Sequence, residues 1–113
     1  MINFNPQILT DAFKVSTDVI TVPAVAGDTV QILENDPNRI AILFTGYTGP
    51  SIVNIRPPES DQDGFWLPDG QQPMILDYRN HGAMVGYAWY ALNGAPFEDS
   101  YISVITSSYR PDR

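Results

Sequence analysis

The sequence predicts an all-β domain: an antiparallel β-sandwich of jelly-roll or Greek-key-like form, built from about eight short strands. Three observations predict it. Short runs rich in Val, Ile, Thr and aromatic residues recur along the chain, as pleated, half-buried surfaces favour. Turn formers (Gly, Pro, Asn, Asp) separate these runs every eight to twelve residues or so. The central apolar run, Ile40-Ala41-Ile42-Leu43-Phe44, is too short for a helix and is cut by Gly46, Gly49 and Pro50.

At 113 residues the chain makes one domain with a single core. It contains no cysteine, which removes disulfides, thiolate metal sites and a Cys nucleophile. Six basic against 13 acidic side chains give a formal charge of −7. Lys14 and the arginines at 39, 56, 79, 110 and 113 are scattered, so the clustered cations that a nucleic-acid binder needs are missing. No apolar run approaches the roughly twenty residues of a membrane-spanning helix. The start of the sequence lacks the charged and apolar regions of a signal peptide, and the expectation is synthesis and use without Sec export.

Taken in order, residues 1–16 read as an arm or short helical turn, with Ile8, Leu9, Ala12 and Phe13 forming a one-sided apolar stripe. Any helix, a turn or two at most, is expected here and nowhere else. Such a helix is marginal in isolation and needs a surface to cover, so Ile8, Leu9 and Phe13 are candidate assembly contacts. The sandwich is expected over 17–107 and a frayed tail over 108–113. Asp18–Ala24 is the first strand, put at an edge or ended by Pro23. Thr29–Leu33 is the second, with Val30 and Ile32 on one face. Asp36-Pro37-Asn38 is turn chemistry feeding the strand Ile40–Phe44, which reads as buried on both faces. Ser51–Arg56 returns as the partner of a hairpin at the centre of a sheet.

Pro57–Asp63 is a solvated acidic loop. Gly64–Leu67 and Pro73–Asp77 are short strands, and Arg79–Gly82 is a turn. The uncharged stretch Gly82–Phe97 reads as a strand in which Tyr87, Trp89 and Ala91 share a face, Gly82 and Gly86 marking a bulge or close crossing. Asn93-Gly94 is a type I′ hairpin signal, and Tyr101–Thr106 is the return strand.

The candidate sites are few. His81 is the sole histidine and Asp77 its only nearby acid, too little for a zinc site or for a multi-histidine enzyme of the cupin type. Asp61-Gln62-Asp63-Gly64 opens like a calcium loop but lacks the closing carboxylate of an EF-hand. Glu34, Glu59, Glu98 and Asp99 all fall in turns, with nothing to set two of them across a cleft. No nucleophile elbow, phosphate loop or dinucleotide fingerprint is present. The reading is therefore no catalytic residues, no metal and no cofactor. Tyr47, Phe65, Trp66, Tyr87, Trp89 and Tyr90 could stack sugars, though rings in a β protein mostly serve the core. Phe65 and Trp66 point to opposite faces of their strand, which makes Trp66 the candidate exposed aromatic.

Two landmarks carry a resemblance. One is Pro37-Asn38-Arg39 feeding Ile40–Phe44, then the Gly/Thr-rich link to Ser51-Ile52-Val53-Asn54-Ile55. The other is Gly64-Phe65-Trp66-Leu67-Pro68-Asp69-Gly70, followed by an apolar strand and, after a glycine, an Ala/aromatic strand. Together they span residues 36–106, and they resemble small bacteriophage virion β-sandwich proteins: capsid decoration (cement) proteins and head-fibre or tail components. The chain departs from that pattern at Pro68-Asp69-Gly70, where the group places Pro-Gly directly. The resemblance implies a non-enzymatic virion protein, made in the host cytoplasm, that binds the major capsid protein or another virion protein. It also implies a homo-oligomer without nucleic-acid or membrane partners. A carbohydrate-binding module for host recognition is the competing expectation, with Trp66 as its platform.

Overall fold

The computed structural model describes residues 13–68 and 73–109. Eight strands follow one another: β1 (Phe13–Val22), β2 (Thr29–Leu33), β3 (Arg39–Thr48), β4 (Ser51–Asn54), β5 (Phe65–Leu67), β6 (Met74–Asp77), β7 (Trp89–Asn93) and β8 (Ser100–Tyr109). Between β6 and β7 lie a one-turn helix, α1 (Tyr78–His81), and a 3-10 helix, Gly82–Gly86. The strands form two four-stranded sheets, ordered β1-β8-β3-β6 and β2-β7-β4-β5, and every paired ladder is antiparallel. All connections except β4–β5 pass from one sheet to the other, which is the winding of a jelly roll.

Period-two alternation fills the space between the sheets. Val22, Ile42, Phe44, Leu76, Ile102 and Val104 come from the first sheet; Ile32, Val53, Leu67, Trp89 and Ala91 come from the second. Trp89 and Phe44, both fully buried, meet with ring centroids 5.3 Å apart at a 58° tilt. Burial of a large apolar side chain of this kind stabilises by about 1.5–3 kcal/mol, so this pair anchors the core.

Several expectations are corrected. Ile40–Phe44 and Ser51–Arg56 do not pair as a hairpin: β3 and β4 lie in different sheets, and the chain turns the corner through Gly49, at φ 76°, and Pro50. Nor is Asn93-Gly94 a type I′ turn. That turn needs positive φ at both positions; neither has it, and β7 and β8 belong to opposite sheets. Helix is found away from the first sixteen residues, at Tyr78–His81, where Asp77 caps the turn by accepting from the Asn80 amide at 2.7 Å. Gly82–Gly86 is helical rather than extended, so only Trp89 and Ala91 of the expected Tyr87–Trp89–Ala91 face lie in a strand.

The ends of the domain also differ from the reading. β1 starts at Phe13, within the expected arm, and β8 runs on to Tyr109, with Phe13 to Ser16 opposite Thr106 to Tyr109. The side chains of Ile8, Leu9 and Phe13, the expected assembly stripe, lie outside the described residues.

Candidate functional site

The outer surfaces of the two sheets are finished differently. On the second sheet, register places Leu92, Ile52 and Trp66 in one row. Ile52 and Leu92 are buried although they face outward, and Trp66 lies beside them over Gly94. A Cβ on Gly94 would come within 2.8 Å of the Trp66 ring and 3.2 Å of Ile52, so glycine there makes room for the indole. Trp66 thus covers its own sheet while remaining 52% exposed.

Among the described residues, none covers the outer surface of β1-β8-β3-β6 in this way. Thr17, Ile105, Leu43 and Ile75 form one row across all four strands, and Val15, Ser107, Ala41 and Asp77 form the next. A third row is Val19, Ser103 and Thr45. Among these residues Asp77 is the one charged group, and its carboxylate is held by the Asn80 amide and side chain at 2.7 and 2.9 Å. These bonds, the backbone one first, lower the Asp77 pKa. Val15, Val19 and Ile75 are 68%, 55% and 59% exposed. This apolar and hydroxyl-bearing face of four strands stands out on a chain of formal charge −7.

One end of the sandwich is organised by a residue whose role the sequence did not disclose. Arg39 opens β3 and is only 5% exposed. Its guanidinium donates to the carbonyls of Val85 (3.1 Å), Tyr87 (3.0 Å) and Glu34 (2.7 Å). Burial lowers its pKa, partly offset by Asp36. Asp36 in turn holds the Asn38 amide and the Ser108 hydroxyl, both at 3.0 Å, and its amide donates to Gly86 at 2.8 Å. Arg39 with Asn35, Pro37, Tyr78, Ala83, Gly86 and Tyr87 lines a cleft of about 230 Å³. The usual alternation would not aim Arg39 inward; an irregularity between Arg39 and Ala41 does so, and a bulge of this kind has no local signature.

The residues weighed as chemistry are spread out. His81 is exposed, and its Nδ1 accepts from the Asp77 amide at 3.1 Å. Asp63 is engaged by Arg56 through both carboxylate oxygens and by the Glu59 amide at 2.8 Å, so the loop is closed by an ion pair. Among the described residues no group of three or more His, Asp and Glu is placed to hold a metal ion. Glu34 and Glu59 lie in connections at the Arg39 end, and Glu98 and Asp99 at the opposite end. Of the six rings, Trp89 alone is fully buried and Tyr90 is half-buried, whereas Tyr47, Phe65, Trp66 and Tyr87 are exposed; the expectation that these rings mostly serve the core is corrected. Phe65 still touches the core ring Trp89, centroids 6.3 Å apart.

No protein-family model matches the sequence, and no curated protein matches it. Solved structures are similar to the chain. A protein of the Bacillus endospore appendages, a family of disulfide-linked pili, is similar with a TM-score of 0.51 at 12% identity, over 87% of this chain and 88% of that one. A Cupin_2 domain of an XRE-family transcriptional regulator from Enterobacter cloacae gives 0.48 at 12% identity, over 88% of this chain and 98% of that one. What the first likeness supports is the small β-rich fold.

Proposed function

We propose that the chain is a non-enzymatic structural subunit that acts by assembly, seating the outer face of β1-β8-β3-β6 on a larger protein shell. The specific form we favour is a virion protein that binds and decorates a bacteriophage capsid, through the major capsid protein or another virion protein, as a homo-oligomer. The observation that carries it is that face: three exposed aliphatic side chains, three ordered rows and one engaged charge on an otherwise acidic chain. The endospore appendage protein is named for building pili linked by disulfides; with no cysteine, the present residues would be held together without covalent links.

The test is co-sedimentation with capsid particles lacking the protein. Ile75 is exposed, so Ile75→Glu should leave the thermal midpoint nearly unchanged and abolish sedimentation with the particles. Equal sedimentation of variant and parent would sink the seat.

A second reading has its own observation. Trp66 presents one half-exposed ring on edge strand β5, the geometry of a sugar-stacking platform. Retained binding to a glycan array, lost in Trp66→Ala while the protein stays folded, would move carbohydrate recognition to first place.

A further inference from the structure

Three strands of 10 residues and one of 4, spaced about 4.8 Å apart at about 3.3 Å per residue, make a plane of roughly 550 Å², under the ~800 Å² that each partner gives to a standard interface. A single copy is therefore a weak seat, and the strand at the margin of that face shows how the seat can be enlarged. Lys14 through Val19 are six consecutive exposed residues, although all of them belong to β1 and pair in unbroken register with β8. Among the described residues, this half of β1 is held on one side only.

The backbone direction along β1 follows from two hydrogen bonds. The Val19 amide donates to the Asp18 carboxylate at 3.0 Å, so it is not part of the β8 ladder. Tyr109, opposite Phe13 on β8, donates its amide to Asn38 at 2.7 Å, on the β3 side. In an antiparallel ladder the backbone direction alternates residue by residue. The odd-numbered residues of β1 therefore turn their N–H and C=O groups to the open edge.

Exposed edges are usually blunted by brevity, bulges, proline or charge. Of the other edge strands, β6 has 4 residues and β5 has 3, while β2 has 5 and carries a register shift. β1 has 10 residues, no bulge and no internal proline. Its charges are Lys14 and Asp18.

We propose that this edge pairs antiparallel with β1 of a second copy, in the register that sets Ser16 opposite Ser16 of that copy. That register places Lys14 opposite Asp18 of the second copy, and Asp18 opposite its Lys14. It also sets Val15 opposite Thr17, with the odd-numbered residues forming the hydrogen-bonded pairs. Shifting the centre to Thr17 would oppose Lys14 to Ile20 and Asp18 to Ser16, losing both ion pairs. In the free subunit Asp18 occupies the Val19 amide and guards the edge. In the pair its carboxylate turns to the facing lysine, and the amide passes to the carbonyl of Phe13 in the second copy.

The two-fold axis stands perpendicular to the sheet, so two outer faces lie side by side in one eight-stranded sheet and the seat is doubled. The pairing deepens, and rests on, the reading of the chain as an assembly subunit. It names the partner of this edge as a second copy of the same chain.

Cysteine cross-linking of the full chain tests it, because the parent has no cysteine. A non-hydrogen-bonded antiparallel pair has Cα atoms about 4.5 Å apart, within disulfide reach. Ser16→Cys should therefore become a covalent dimer on mild oxidation. Thr21→Cys, with its counterpart about 33 Å away in this register, should stay monomeric under the same conditions. Without cross-linking, light scattering should show Lys14→Asp weakening the dimer about tenfold, since it sets like charges opposite each other at two places. Combining Lys14→Asp with Asp18→Lys should restore it. Cross-linking of Ser16→Cys no greater than that of Thr21→Cys, or a double variant no better than the single, overturns the pairing. Particle binding separates the two proposals. A protein that sediments with capsids but fails the cross-link keeps its seat and loses this edge; a cross-linked dimer that fails to sediment keeps the edge and loses the capsid.

Discussion

At one end of the sandwich Arg39 donates to the carbonyls of Glu34, Val85 and Tyr87; at the other, Asn93 donates to those of Val22, Pro23 and Glu98. Both side chains are 5% exposed, and each ties together connections that come from different sheets. The chemistry is different. Asn93 is neutral, and two amide hydrogens serve three acceptors at 2.9, 3.3 and 3.3 Å, while its Oδ1 accepts from the Ala95 amide at 2.9 Å. Arg39 has hydrogens enough for all three acceptors but brings a charge into the protein, which is why burial lowers its pKa. The two ends show that a jelly roll needs its crossing loops fastened, and that a neutral and a charged fastener leave different sensitivities behind.

Removing each fastener measures that difference. Arg39→Met should be the more damaging, by about 3–5 kcal/mol in urea unfolding, because it strips charge-assisted bonds from three carbonyls. Arg39→Lys should recover less than half of that, since an ammonium lacks the planar fork that reaches all three. Asn93→Ala should cost about 2–3 kcal/mol. Equal losses at the two sites would break the comparison.

The glycines beside the fasteners sharpen it. A Cβ on Gly86 would stand 2.7 Å from the backbone oxygen of Asp36, whereas one on Gly94 would meet the ring of Trp66 at 2.8 Å. Backbone held by Arg39 and Asp36 cannot retreat, but a half-exposed indole can swing away. Gly86→Ala should therefore cost about 2 kcal/mol and Gly94→Ala less than about 1 kcal/mol, read as shifts in the urea midpoint.

The sequence disclosed those parts of the molecule that depend on neighbours two residues away. β2 has its expected bounds, Thr29–Leu33, and the inward sets Ile102–Val104 and Trp89–Ala91 follow from alternation alone. It did not disclose which sheet a strand joins. Asn93-Gly94 reads as a hairpin because the dipeptide favours one, yet its side chain is spent on carbonyls as far as 71 residues distant. Arg39 looked like one of several scattered cations, since partners 46 and 48 residues away and a ladder irregularity leave no local trace. The outer face, whose three rows hold Asp77 as their one charge, was half visible in the charge-free runs at 40–55 and 82–97. Only the sheet order reveals that the face is made by β1, β8, β3 and β6, and that most of the second run lies elsewhere.

The smallest expected effect is acid sensitivity confined to the Arg39 end. Asp77 and Asp63 both sit in connections there, and both have lowered pKa values. Hydrogen bonds from the Asn80 amide and side chain lower the first, and the Glu59 amide followed by Arg56 lower the second. A depressed folded-state pKa means that the unfolded chain binds more protons as the pH falls past the ordinary carboxylate value of 3.8. The stabilisation is then fully present above that pH and drains away as the pH drops through the lower, folded values. Both carboxylates are at the surface, so the change should be a local loosening rather than global unfolding. Amide exchange followed from pH 5 down to pH 2.5 should show protection at Asn80 and Glu59 falling first, while the Ala95 amide on the neutral Asn93 holds. If Ala95 loosens in step with the other two, the ends are not independently fastened, and the contrast between a charged and a neutral clamp loses its meaning.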